Sequence, residues 1–98
     1  MKFYLKIHTR SNQSCIGVCD EDILGKNLKD EELKFNISEH FFKGDLVSKD
    51  KAINVLRKAN NYNIVGKNIC EILIKEKILH RTGVKTIEGV PIALKFVL

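Results

Sequence analysis

The hexapeptide Ile69-Cys70-Glu71-Ile72-Leu73-Ile74 holds one charge among five apolar side chains, and it follows directly on Gly66-Lys67-Asn68. This pattern predicts a helix from about Lys67 to Leu79 that is apolar nearly all round. Such a helix has to be covered on most of its surface. A chain of 98 residues buries roughly 60–70% of the surface that its unfolded form exposes, enough for one core and not for two. The rest of the sequence must therefore wrap this helix as a single domain over residues 1–98, with Ile69, Cys70, Leu73 and Ile74 among the most buried positions.

The remaining elements follow from local pattern. Residues 2–9 alternate loosely and are rich in Phe, Tyr, Leu and Ile, which reads as a strand. Arg10-Ser11-Asn12-Gln13 is a turn. Residues 14–19 form a second strand with Ile16 and Val18 on one face and Cys15, Gly17 and Cys19 on the other, completing a hairpin. The run from Asp20 to Gly25 has acids at its start and glycine at its end, the marks of one helical turn. Leu33, Phe35 and Ile37 alternate as a third strand, and Ser38 to Gly44 is a loop or short turn that buries Phe41 and Phe42. Ser48 caps a helix from 49 to about 60. Ala52, Ile53, Val55, Leu56 and Ala59 share one of its faces, while Lys51, Asn54, Arg57 and Lys58 share the other. Asn60-Asn61-Tyr62-Asn63 stops that helix. Residues 84–87 and 92–97 are the last strands, on either side of a turn or bulge at Glu88-Gly89-Val90-Pro91. The order βββααββ predicts an α+β fold, a small, mostly antiparallel sheet of about five strands packed with two main helices.

No apolar run approaches the roughly 18–20 residues that span a membrane, and Met1 to His8, with a lysine inside it, reads as a strand and not as a signal peptide. Three cysteines are an odd number, so at least one thiol stays unpaired, which fits a reducing, cytoplasmic setting. Cys15 and Cys19 on one strand lie about 13 Å apart, too far for a disulfide or a shared metal. All three thiols are expected reduced and without metal. The net charge is +5, and its placement is uneven. Residues 1–48 carry 7 basic and 8 acidic groups, residues 49–98 carry 10 and 4. A basic half points to a polyanion such as RNA. Against that, only Arg10, Arg57 and Arg81 are arginines, and a lysine-rich surface also serves solubility.

The helix start at Gly66-Lys67-Asn68 offers free backbone N–H groups and a positive charge, the combination that holds anions. Gly66, Lys67 and Asn68, with Arg57 and Lys58 as a basic flank, form the candidate phosphate site. Residues 49–73 partly resemble a helix-hairpin-helix, a motif with two glycines two residues apart. Gly66 matches the second glycine, and Ile64 stands in place of the first. The competing reading is that Gly66 only lets the turn pack tightly. Asp20-Glu21-Asp22 reads either as a magnesium-binding pair or, the favoured reading, as helix N-terminal acids. Cys19 beside Asp20 has an acid neighbour that works against a reactive thiolate. His8, His40 and His80 stand singly. No catalytic residue, metal ligand or cofactor is assigned. The expected function is a binding module for RNA or a ribonucleoprotein. The alternative is a protein-interaction subunit that uses the sheet face or Phe41-Phe42, and a small enzyme is a third class.

Three stretches carry a family resemblance: Val18-Cys19-Asp20-Glu21-Asp22-Ile23-Leu24-Gly25-Lys26, Asn63-Ile64-Val65-Gly66-Lys67 and Ile87-Glu88-Gly89-Val90-Pro91. Together they resemble a small archaeal family labelled as a domain of unknown function, over almost the whole chain. The resemblance implies an archaeal cytoplasmic protein of about this length and no activity. The family pattern places a histidine after the proline. Ile92 stands there in this chain, so no role of that histidine passes to it.

Overall fold

Ser11 and Asn12 both take positive φ, 49° and 70°, the conformation of a two-residue turn whose twist matches that of the strands it joins. That turn closes a hairpin between β1 (Lys2–Arg10) and β2 (Gln13–Asp20) in the register Phe3↔Asp20 to Arg10↔Gln13. The computed structural model of the chain describes residues 1–97. A single 3-10 turn at Glu21–Ile23 follows β2. Next come β3 (Asn27–Asp30) and β4 (Leu33–Asn36), paired only with each other, and a one-turn helix α1 (Glu39–Phe42) capped by Ser38. Beyond them lie β5 (Asp45–Ser48), α2 (Lys49–Arg57), β6 (Tyr62–Val65), α3 (Lys67–Lys75), β7 (Lys85–Ile87) and β8 (Val90–Lys95).

The fold is α+β, built on a six-stranded mixed sheet in the order β5-β1-β2-β6-β8-β7. Every neighbouring pair is antiparallel except β2 and β6, which are parallel in the register Ile16↔Tyr62 to Cys19↔Val65. On one face, Phe3, Leu5, Val18 and Ile64 pack with Leu56 of α2 and Ile69, Cys70 and Leu73 of α3. On the other, Cys19, Val65 and Ile92 pack with Ile23, Leu28, Ile37 and Phe42 from the β3–β4 layer. The central helix is where the sequence puts it, with Ile69, Cys70 and Leu73 buried, but Ile74 is only half-buried.

Several boundaries differ from expectation. The main sheet has six strands where about five were expected: β5 lies in residues 45–48, given no strand, and β6 in a stretch read partly as turn, while the expected third strand is β4, which pairs with β3 outside this sheet. β3 was also unforeseen. α2 stops at Arg57, short of 60. α3 stops at Lys75, because Lys77 enters the left-handed region at φ 61° and breaks it. Ile78 and Leu79 then donate their N–H groups to the Leu73 carbonyl, at 2.9 and 3.1 Å, so Leu79 reaches the core without being helical. With β6 between α2 and α3, the helix-hairpin-helix likeness does not hold.

Candidate functional site

Because β2 and β6 run parallel, their C-terminal ends lie side by side. In open sheets such a point, facing a helix start, is where ligands dock. Here it is filled from within. Asp20, the last residue of β2, is 4% exposed. Its Oδ2 accepts the Asn68 N–H at 2.9 Å and its Oδ1 accepts the Ile69 N–H at 2.9 Å. Gly66 sits at φ 131°, and a Cβ there would stand 2.4 Å from the Asp20 carboxyl carbon. The Gly66 N–H donates to the Pro91 carbonyl at 2.9 Å. The anion at the start of α3 is therefore the protein's own carboxylate. Asn68, assigned to phosphate, has its amide committed to Asp20, and Gly66 makes room for that carboxylate. Asp20 is a helix N-terminal acid, as the favoured reading of the acidic cluster held, but it serves α3 and not the turn that follows it. Burial pushes its carboxyl above the usual range, the Asn68 and Ile69 amides pull it down, and nearby Asp22 pushes it up again.

The five predicted site residues separate into two groups. Gly66, Lys67 and Asn68 lie at one end of β6, with the last two exposed. Arg57 and Lys58 precede its other end, and four residues of strand span about 13 Å. Arg57 pairs with Glu76 at 3.0 Å. The thiols do not form a reactive centre either. Burial, with Asp20 and Asp22 nearby, pushes the Cys19 thiol up to about 12, and burial with Asp20 and Glu71 does the same for Cys70. Cys15 faces His8 across the hairpin, but burial pushes its thiol up as well. His8 stacks on Phe41 with centroids 4.4 Å apart and donates from Nε2 to the Phe41 carbonyl at 2.8 Å. Among the described residues, no three His, Cys, Asp or Glu side chains gather as metal ligands.

A second region, at the start of β6, was missed in the sequence. Asn61, read as part of a helix stop, is 7% exposed and ties three segments together. Its backbone carbonyl accepts the Ile16 N–H at 3.0 Å, its Nδ2 donates to the Ser14 carbonyl at 3.3 Å, and its Oδ1 accepts the Val97 N–H. Two depressions flank it. One, of about 510 Å³, is lined by Ile7, Val55, Lys58, Ala59 and Val97 among others. The other, of about 420 Å³, is lined by His8, Arg10, Cys15 and Phe96. Phe96 is 71% exposed and Ile7 54%. Lys95 extends over the Tyr62 ring, 6.0 Å from its centroid. Among the described residues, neither lining contains a carboxylate. Asn61 anchors the Val97 amide next to Phe96, which lines the same depression as Arg10. Nothing in its local sequence distinguishes this asparagine from its turn neighbours Asn60 and Asn63.

The three stretches behind the family resemblance meet at the Asp20 junction, through Asp20, Gly66 and Pro91. A family described as "Protein of unknown function (DUF424)" matches residues 7–98. The chain belongs to that family. The crystal structure of an uncharacterized conserved protein from Methanopyrus kandleri is similar to this DUF424 chain, with a TM-score of 0.84 and 25% sequence identity, covering 100% of this chain and 93% of that one. No curated protein matches. The archaeal family of unknown function expected from the motifs is thus the family found.

Proposed function

We propose that this DUF424 protein is a cytoplasmic binding module that contacts RNA or a ribonucleoprotein, and that the contact surface is the Asn61 end of the sheet. The observation that carries the reading is that Lys58 lines one of the two depressions beside Asn61 and Arg10 lines the other with the exposed Phe96, that neither holds a carboxylate among the described residues, and that Lys95 lies over the ring of the adjacent Tyr62. Cations neutralise phosphates and release counterions, while an exposed aromatic ring offers a face for an unpaired base. The α3 start is a weaker candidate, since Asp20 occupies its amides and an incoming phosphate would face that carboxylate. A protein partner is the second reading, favoured by the exposed apolar side chains Ile7, Leu94, Phe96 and Val97.

Fluorescence anisotropy with a labelled single-stranded RNA of mixed sequence, titrated over a range of salt, tests the first reading. Affinity is expected to fall steeply with salt. The combined Arg10→Glu, Lys58→Glu and Lys95→Glu variant should lower the salt slope by roughly one unit per lost phosphate contact. Lys67→Glu, at the other end of β6, should change it much less. No binding at low ionic strength, or binding indifferent to the triple charge reversal, overturns the reading.

A further inference from the structure

The hairpin turn fixes which backbone groups of β1 face outward. With Ser11-Asn12 as the loop, Arg10 and Gln13 form the hydrogen-bonded closing pair, and bonding to β2 alternates from there. His8 and Lys6 bond to β2, whereas Thr9 and Ile7 turn their N–H and C=O groups away from it. The same alternation appears on β2, where Ile16, the partner of Ile7, sends its N–H to Asn61. β5 covers the outer edge of β1 only from Lys2 to Leu5. Past that point no strand of the described residues lies beside Ile7 and Thr9, and both are exposed. An open edge of this kind is a template for another strand.

We propose that the open half of β1 accepts an extended acidic segment of a partner protein as an added strand. A residue placed opposite Ile7 or Thr9 directs its side chain to their face of the sheet. That face carries the depression between Ile7, Val55, Ala59 and Val97, with Lys58 at its side. An apolar residue fits there. Its neighbours in the segment fall on the opposite face, near Lys6 and Arg10. Among the described residues, the depression contains no carboxylate. Asp45 stands at the β5 end, opposite Leu5, so the acidic residues of the segment belong at the Arg10 end. A second copy of this chain fits poorly. The one self-pairing that uses all of Lys6 to Arg10 is centred on His8, and it sets Lys6 of each copy opposite Arg10 of the other. Like charges directly opposite destabilise a strand pair. The inference stands on the unpaired edge and does not depend on RNA contact.

The probe is a capped hexapeptide, acetyl-Glu-Asp-Val-Thr-Val-Thr-amide, which as an antiparallel strand sets its Asp opposite Arg10 and its valines opposite Thr9 and Ile7 with their N–H groups toward β1; it is titrated into the 15N-labelled full chain and followed by amide chemical shifts. Saturable shifts at Ile7 and Thr9, with slowed exchange of both amides, are expected. A copy of the peptide N-methylated at its valines keeps side chains and charge but loses backbone donors, and it should bind about tenfold more weakly or worse. Replacing Asp and Glu by two lysines should do the same. Thr9→Pro removes an outward N–H while leaving the β1–β2 ladder intact, and should reduce binding with the other amide signals unmoved. If that variant misfolds, the N-methylated peptide still decides. The proposal is overturned by no saturation at about millimolar peptide, by equal binding of the N-methylated copy, by shifts confined to another surface, or by dimerisation that protects the same amides without peptide. Movement of those two amides by an RNA oligonucleotide and not by the peptide also overturns it.

Discussion

Asp20 and Gly66 are one feature made of two residues. The carboxylate satisfies two orphan amides of α3, and the glycine leaves it the space to do so. Asp20→Asn keeps the volume but turns an NH2 group toward a backbone N–H, leaving a buried donor unpaired. It should cost about 1–3 kcal/mol in urea unfolding. Gly66→Ala should cost more, because a Cβ meets the carboxylate at a positive φ. In the double variant Asp20→Ala, Gly66→Ala the losses should fall short of their sum, since removing the carboxylate removes the clash. Strict additivity would mean that Gly66 serves only its backbone angle. The buried thiols give a second prediction. Cys19 and Cys70 are pushed up to about 12, against about 8.5 in an unfolded chain. A folded value above the unfolded one means that the contribution is complete below about pH 8.5 and is lost as pH rises toward 12. Across that window stability should fall by about 1.4 kcal/mol per pH unit for each thiol. Cys19→Ala with Cys70→Ala should flatten the curve between pH 9 and 10.5, and an unchanged slope would sink this account. The acids of residues 20–22 were legible as helix-start acids. Which helix they served was not, because the partner amides lie 48 and 49 positions away and are brought in only by the β2–β6 pairing.

At the scale of elements, what was legible was what repeats over several turns. α2 declared itself by its two faces and by the Ser48 cap, whose Oγ accepts the Lys51 N–H at 3.2 Å, and α3 by its nearly unbroken apolar run. Ser48→Ala should lower stability by about 0.5–2 kcal/mol. Leu73→Ala, at a side chain with no exposure, should lower it by roughly 2–5 kcal/mol. Thermal or denaturant unfolding of the two variants checks both, and a Leu73→Ala loss as small as the cap loss would contradict the central placing of α3. β6 was hidden for a physical reason. It is four residues long, has neighbours on both sides and buries side chains toward both layers, so it shows no alternation of polar and apolar. Its flanking asparagines read as a turn. β3 and β5 are equally short, and β5 is held by pairing with Lys2 to Leu5 and not by any propensity of its own. The candidate site suffered likewise. Arg57, Lys58, Gly66, Lys67 and Asn68 look contiguous along the chain only if the residues between them are a loop. As a strand, β6 carries them to opposite ends.

The whole molecule is assembled from two half-sheets. Residues 2–48 supply β5, β1 and β2, residues 62–95 supply β6, β8 and β7, and the parallel β2–β6 pair is the seam. The helices α2 and α3 cover one face of both halves, and the β3–β4 layer covers the other. The basic excess of the second half therefore goes largely to the helical layer and to the Asn61 end, which is why a count along the chain anticipated a charged surface without locating it. Cys19 and Cys70 report on the two sides of this assembly. Cys19 belongs to the first half-sheet and the hairpin-side core, Cys70 to the second half and the helix-side core. Both lean on the same junction, since Asp20 follows Cys19 directly and binds the amides just before Cys70. Opening either layer strips the cap from α3 or the floor from β2, so neither core should persist without the other. A domain of this size is expected to unfold in one cooperative step. Thiol labelling along a urea gradient should then expose Cys19 and Cys70 at the same midpoint, coincident with the loss of helical circular dichroism. Labelling of Cys19 at distinctly lower urea would show that the β3–β4 layer opens on its own and that the seam does not couple the two cores.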